Sequence, residues 1–169
     1  MDLTPKVLEN DWVRLEPLEE RHRAILGPVA NDPDIWKYMS LRGEGSHFDT
    51  WFDMMLTNQD AGSTIGHAVY LKNTEDCIGH SSFLEISRKQ KRLEVGWTFY
   101  AAAHRGTVVN PACKHLLFTR AIEVGAERVE LKTGGKNLHS QRAMEKLGLV
   151  KEGTLRSYII AWTGERRDA

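Results

Sequence analysis

Between residues 63 and 101 the chain passes through three apolar-rich stretches with only short polar breaks. They are "STIGHAVYLKNTED" (63–76), "CIGHSSFLEISRKQKR" (77–92) and "LEVGWTFYA" (93–101). Each reads as a strand, with "NTED" as a hairpin turn and "RKQKR" as a charged turn. Strands joined this closely pair antiparallel, because a parallel neighbour needs a crossover of a dozen or more residues. Whatever the chain folds into must therefore contain this meander.

The flanks are mixed. "DWVRLEPL" (11–18) alternates and reads as a first strand. Glu19-Glu20 open a helical pattern that fades at Gly27-Pro28. "DPDIWKYM" (32–39) reads as a short helix capped by Asp32, with Pro33 at its first position. In 46–62, Phe48, Trp51, Phe52, Met55 and Leu56 share a helical face, with Ser46 as cap and Gly62 as stop. That aromatic stripe reads as core, part of which could line a groove. Beyond the meander a helix is expected over about 108–124, stopped by Gly125. Asn110-Pro111 is a good cap pair there, so the helix is expected to be regular from 111 onward. A strand follows at 128–134, a helix at 138–148 closed by Gly148, and a last strand or hairpin arm at 149–162. The order predicts an α+β fold with a central, mainly antiparallel sheet.

Composition narrows the function classes. The chain has 169 residues, which suits one domain. Its 23 basic and 23 acidic side chains balance, so there is no global attraction to nucleic acid or to an anionic membrane. Two cysteines, Cys77 and Cys113, are too few for a disulfide framework and point to a reducing cytoplasm. The opening "MDLTPKVLENDW" has no apolar signal region, and no apolar run approaches the ~20 residues needed to span a bilayer. His67, His80, His104, His115 and His139 show no metal-ligand spacing, and no metal is expected.

Three stretches could carry chemistry. In "AHRGTVVNPACKHLL" (103–117) a strand, a glycine turn and a helix start follow one another. Free amides and the positive end of the helix dipole make such a turn an anion site in principle, with Arg105 as an added donor. Equally, it can be a plain turn with a surface arginine. In "RLEVGWTFY" (92–100) the alternation sets Leu93, Val95 and Trp97 on one face and Glu94, Gly96 and Thr98 on the other. A mid-strand carboxylate is either solvated or functional, since burying it unpaired is costly. Gly96 is a place for a bulge or a close-lying ligand. In "NLHSQRAMEKLGLVKEG" (137–153) Asn137 either caps the helix or faces a ligand, and Ser140 is a first-turn hydroxyl.

Taken in order, "VRLEPL", "NDPDIWKYM", "IGHSSFLEI", "RLEVGW", "RGTVVNPACKHLL", "GAERVELKT" and "NLHSQRAMEKLGLVKEGTLR" resemble the GNAT superfamily of acyl-CoA-dependent N-acyltransferases, RimJ/RimL-like branch. The resemblance runs over roughly residues 12–168. It implies a single domain over 1–169, with a twisted, mostly antiparallel sheet of six to seven strands flanked by about four helices. It implies acetyl-CoA as co-substrate, and an amine acceptor that is a protein N-terminus or a small molecule. Dimers are common in the branch, so a homodimer is the assembly it suggests. The turn residues Arg105, Gly106, Thr107, Val108 and Val109 would cradle the pyrophosphate. Val95, Gly96, Trp97, Thr98 and Phe99 would pair with the pantetheine arm, with Asn137 opposite and Ser140 near the sulfur. Two departures stand out. Val108 occupies the place of the superfamily's second small turn residue, and "TGERRDA" stops where the branch continues into a further strand.

The chemistry implied is direct attack of an amine on the thioester. A primary amine is mostly protonated at neutral pH, so a base must take its proton, and Glu94 stands in the matching motif. A backbone N–H freed by irregularity in the Glu94–Trp97 strand would stabilise the oxyanion, and Ser140 would donate to the departing thiolate. Val108 and the early end motivate the rival reading, a catalytically silent module that binds CoA or a protein.

Overall fold

The structure is a computed structural model describing residues 1–169. Its centre is a six-stranded sheet in the order β1-β2-β3-β4-β5-β6. The strands are β1 (Leu8–Glu9), β2 (Val13–Pro17), β3 (Ile65–Leu71), β4 (Cys77–Ser87), β5 (Arg92–Tyr100) and β6 (Arg128–Glu130). Neighbours pair antiparallel up to β5. The β5–β6 pair alone is parallel, and its crossover is α4 (Val109–Glu123). The other helices are α1 (Arg23–Ala30), α2 (Pro33–Trp36), α3 (Phe48–Asp60) and α5 (Leu138–Lys146).

Each face of the sheet buries its own apolar cluster. On one, Cys113, Leu117 and Ala121 of α4 meet Val13, Leu15, Val69, Phe83, Leu93 and Val95. On the other, Leu26 of α1, Trp36 of α2, and Phe48, Trp51, Phe52 and Met55 of α3 meet Ala68, Tyr70 and Phe99. Each fully buried large apolar side chain contributes about 1.5–3 kcal/mol. That burial, more than helix propensity, holds the short α1 and α2 in place.

The meander, the Asp32 cap and the glycine stops are where the sequence predicts them. Asp32 accepts from the Asp34 amide, and Gly62, Gly125 and Gly148 take positive φ. Elsewhere the boundaries differ. Helix α1 runs through Gly27-Pro28, because Pro28 and Ala24, whose carbonyl loses its partner, both face solvent while Leu26 and Ala30 are buried. Ser46 does not cap α3: a 3₁₀ turn, Gly45–His47, leads in, and His47 takes the cap position. Helix α4 begins at Val109, not 111, since Pro111 falls in the first turn where its missing N–H costs nothing. The predicted strand 128–134 pairs only over Arg128–Glu130. In 149–162 only Ile159–Ile160 is a strand, β7, which pairs with β8 (Arg166–Arg167) as a separate hairpin. Its end is tied to α2 by Trp162 Nε1 donating to Trp36 O at 3.1 Å.

Candidate active site

The site begins with a fault in the meander. Opposite Ser81 of β4, strand β5 carries two residues, Trp97 and Thr98, so the register jumps. Trp97 sits in the left-handed region at φ 48°. For a bulky side chain that conformation costs about 1–3 kcal/mol and must be held in place by its surroundings. The surroundings here are polar side chains of β4. Ser82 Oγ donates to Gly96 O at 3.0 Å, and His80 Nδ1 donates to Trp97 O at 2.8 Å. A carbonyl only accepts, so His80 carries its proton on Nδ1. Burial keeps that ring neutral, lowering its pKa to about 4.

The extra residue resets the alternation. Trp97 packs with Phe99 against the α1–α3 cluster, the side that Glu94 and its cross-strand partner Leu84 also occupy. Thr98 turns to the α4 side, bonding Ser81 Oγ at 2.8 Å and Lys114 Nζ at 2.7 Å. The expected grouping of Trp97 with Leu93 and Val95, and of Thr98 with Glu94, is thus corrected by the bulge. Two successive carbonyls, of Gly96 and Trp97, face β4. In a trans peptide the N–H points opposite the C=O, and no cis peptide is present. The amides of Trp97 and Thr98 therefore point away from β4.

That direction is open. Strands β5 and β6 pair only from Arg92↔Arg128 to Glu94↔Glu130 and then part. From Val95 to Tyr100, β5 has no strand neighbour on this side. On the far side of the parting the chain leaves β6 and enters α5. Asn137 Oδ1 caps that helix, accepting from the Ser140 amide at 3.1 Å, and the amide group of Asn137 is left free. Ser140 is half-buried in the first turn.

At the far end of β5 the chain enters the turn before α4. Gly106 has φ 73°, and a methyl there would meet nothing within 4 Å. The amides of Gly106, Thr107 and Val108 have no acceptor in the protein, while that of Val109 is taken by Thr107 Oγ1 at 3.3 Å. Three successive bare amides at the start of a fifteen-residue helix make an anion cradle. Val108 is 43% exposed and does not fill the turn. Arg105 points elsewhere: its Nε donates to Tyr100 O at 2.8 Å and its Nη2 to Asp32 Oδ2 at 2.6 Å. It braces the turn against the start of α2, and holds the Asp32 carboxyl below the usual range.

Glu94 stands where the strands part. It is 6% exposed, and burial raises its carboxyl above the usual range against the opposing pull of Lys132. Lys132 Nζ lies 2.6 Å from Glu94 Oε2, an ion pair in which the ammonium is that buried oxygen's sole polar partner. Gly96 leaves room beside it, for a methyl there would come within 3.4 Å of Glu94 Oε1 and 3.0 Å of Leu84. On the same face a groove of about 670 Å³ runs past Ser40, Leu41, Met54, Asn58, Leu84 and Trp97. Sequence reasoning missed Lys132. The alternation in "RVELKTG" sets it on the face of Glu130, and only the parallel pairing brings that face to Glu94.

Residues 13–150 match the model of the acetyltransferase (GNAT) domain. Among curated proteins, the uncharacterized N-acetyltransferase p20 of Bacillus licheniformis is 23% identical over 155 residues, covering 90% of this chain and 87% of that protein. Among solved structures, a probable acetyltransferase of the GNAT family from Chromobacterium violaceum superposes with a TM-score of 0.90 at 24% identity, covering 99% of this chain and 85% of that one. The Salmonella typhimurium acetyl transferase that modifies the N-terminal serine of 50S ribosomal protein L7/L12 shares the fold at a TM-score of 0.83 and 16% identity, over 96% of this chain and 95% of that one. So does the microcin C7 self-immunity acetyltransferase MccE, solved with acetyl-CoA and AMP, at 0.82 and 18%, over 94% and 89%.

Proposed function

Because the chain belongs to the acetyltransferase (GNAT) family, an N-acetyltransferase by class, we propose that it moves the acetyl group of acetyl-CoA to a primary amine by direct attack on the thioester. The observation that carries this reading is the Trp97 bulge at the parted edge of β5, with the buried Glu94 carboxylate on the sheet face whose Leu84 and Trp97 line the groove. Acyl transfer needs an oxyanion site, a base and two approaches, one for each substrate. The amides of Trp97 and Thr98 supply donors that are fixed before the substrate arrives, and losing one such donor typically costs about 3 kcal/mol. Burial makes Glu94 a stronger proton acceptor than a solvated carboxylate. The bare amides of Gly106, Thr107 and Val108 suit the diphosphate of the co-substrate, with Val109 held in the turn by Thr107 Oγ1, and the edge from Val95 to Phe99 suits its amide-bearing arm. Arg105 serves by bracing that turn. Asn137 and Ser140 face the arm from across the opening, with Ser140 near the sulfur. The acetyl-CoA bound by MccE and the protein N-terminus modified by the Salmonella enzyme support this choice of donor and acceptor class.

The test is release of free thiol from acetyl-CoA across a panel of small amines and short peptides. We expect amine-dependent release. Glu94→Gln should lower turnover on the order of a hundredfold or more while acetyl-CoA affinity stays nearly unchanged. A chain that binds acetyl-CoA yet releases no thiol with any acceptor overturns the reading in favour of a silent binding module.

A further inference from the structure

One side chain reaches back across the parting of β5 and β6. Lys132 lies two residues beyond Glu130, the last residue of β6, and so follows it onto the face of Glu94 and the groove. Its Nζ is 2.6 Å from Glu94 Oε2. The ring of Tyr158, from the segment before β7, lies under the ammonium with its centroid 5.5 Å away. The lysine side chain is 25% exposed and the glutamate 8%, so the pair sits inside the opening and not on the outer surface. A primary amine thus already rests against the carboxylate that would deprotonate a primary amine. It also does so at the place where the bare edge of β5 begins.

We propose that Lys132 is an internal acceptor, acetylated in cis on Nζ when no external amine is bound. This rests on the reading above, with acetyl-CoA as donor and Glu94 as base. The Lys132 ammonium passes one proton to Glu94, and the freed lone pair attacks the thioester carbonyl carbon. The N–C bond forms and the C–S bond breaks, with its electron pair leaving on sulfur. The second amine proton neutralises the thiolate, and Glu94 returns its proton to solvent. The products are free CoA and a neutral amide that can no longer pair with Glu94. What then acts on Glu94 is burial and the carboxylates of Glu85 and Glu130, all of which favour its protonated form. Self-acetylation therefore removes the base from service, and an external amine in the groove protects it by competition.

The experiment follows intact mass and peptide maps of the whole chain incubated with acetyl-CoA alone. The expected result is one acetyl group per chain, on Lys132, at a rate independent of protein concentration and slowed by an added amine acceptor. Non-enzymatic transfer would instead favour the more exposed Lys136 and Lys91, whose side chains are 75% and 56% exposed. Lys132→Arg, which keeps a cation beside Glu94, should lose the label while keeping its melting temperature and acetyl-CoA binding. Glu94→Gln should slow labelling on the order of a hundredfold. Label spread over the exposed lysines, or a rate that scales with protein concentration, overturns the inference. If an external amine is acetylated while Lys132 stays bare, the inference alone fails. If acetyl-CoA does not bind at all, the parent reading fails with it.

Discussion

Lys114 shows most sharply what a single residue can cost this fold. It lies on α4, 4% exposed, with no carboxylate within ion-pair distance. Its ammonium is held by hydroxyls, Thr98 Oγ1 at 2.7 Å and Ser81 Oγ at 3.4 Å. Burial lowers its pKa from 10.5 to about 8. Between those values the unfolded chain keeps a proton that the folded chain has released, so stability rises with pH across that window. Below it, the full penalty of a buried cation is present. We expect Lys114→Met to flatten this rise: denaturant titrations at about pH 7 and about pH 9.5 should show wild type gaining more than the variant. Equal gains would mean that the ammonium is better solvated than its surroundings imply. Nothing in "NPACKHLL" announces this lysine, because its helix position says only that it follows Cys113. Glu94 was legible, being a carboxylate among apolar neighbours. Lys132, its partner, was not, since the two meet only after the chain has crossed α4.

At the scale of elements, the sheet is legible, and Gly96 marks the neighbourhood of its fault, but which side chains the fault turns over is not. Alternation placed β3, β4 and β5 nearly to the residue, because each is long and bounded by charged turns. Alternation also carries the assumption that no residue is inserted. Trp97 violates it, and everything after it changes sides. The short β1 and β8 lie outside the sequence reading, and the hairpin arm expected over 149–162 narrows to Ile159–Ile160, for a related reason: two-residue strands have no period to read. Gly79 gives a test of the register. A methyl there would sit 2.1 Å from Phe99 O and 2.9 Å from the Tyr100 ring, both fixed by the β4–β5 ladder. Gly79→Ala should therefore destabilise by about 1–3 kcal/mol, read as an earlier denaturation midpoint. An unchanged midpoint would contradict the Gly79↔Tyr100 pairing.

For the whole molecule, the sheet buries polar groups between its two apolar clusters, and this sets the acid limit of the fold. His67 and His80 are 2% and 0% exposed, and burial lowers them to about 3 and about 4. A second proton on His80 would have to sit on Nε2, which has no partner, and the buried Nδ1 of His67 has none either. The unfolded chain takes up those protons near 6.5, so stability falls as pH drops below that value, to about 4 for His80 and about 3 for His67. At about pH 5 each histidine should cost about 2 kcal/mol. Urea denaturation at about pH 7 and about pH 5 checks this, and a flat profile would contradict it. The turn before α4 and the crook at Trp97 have a consequence for descent. Both present peptide groups, which every amino acid carries alike, so drift can rewrite their side chains without erasing what they offer a guest. Lineages sharing this architecture can then grow distant in lettering while keeping the same handholds, and the trait that selection guards is a bend in the chain.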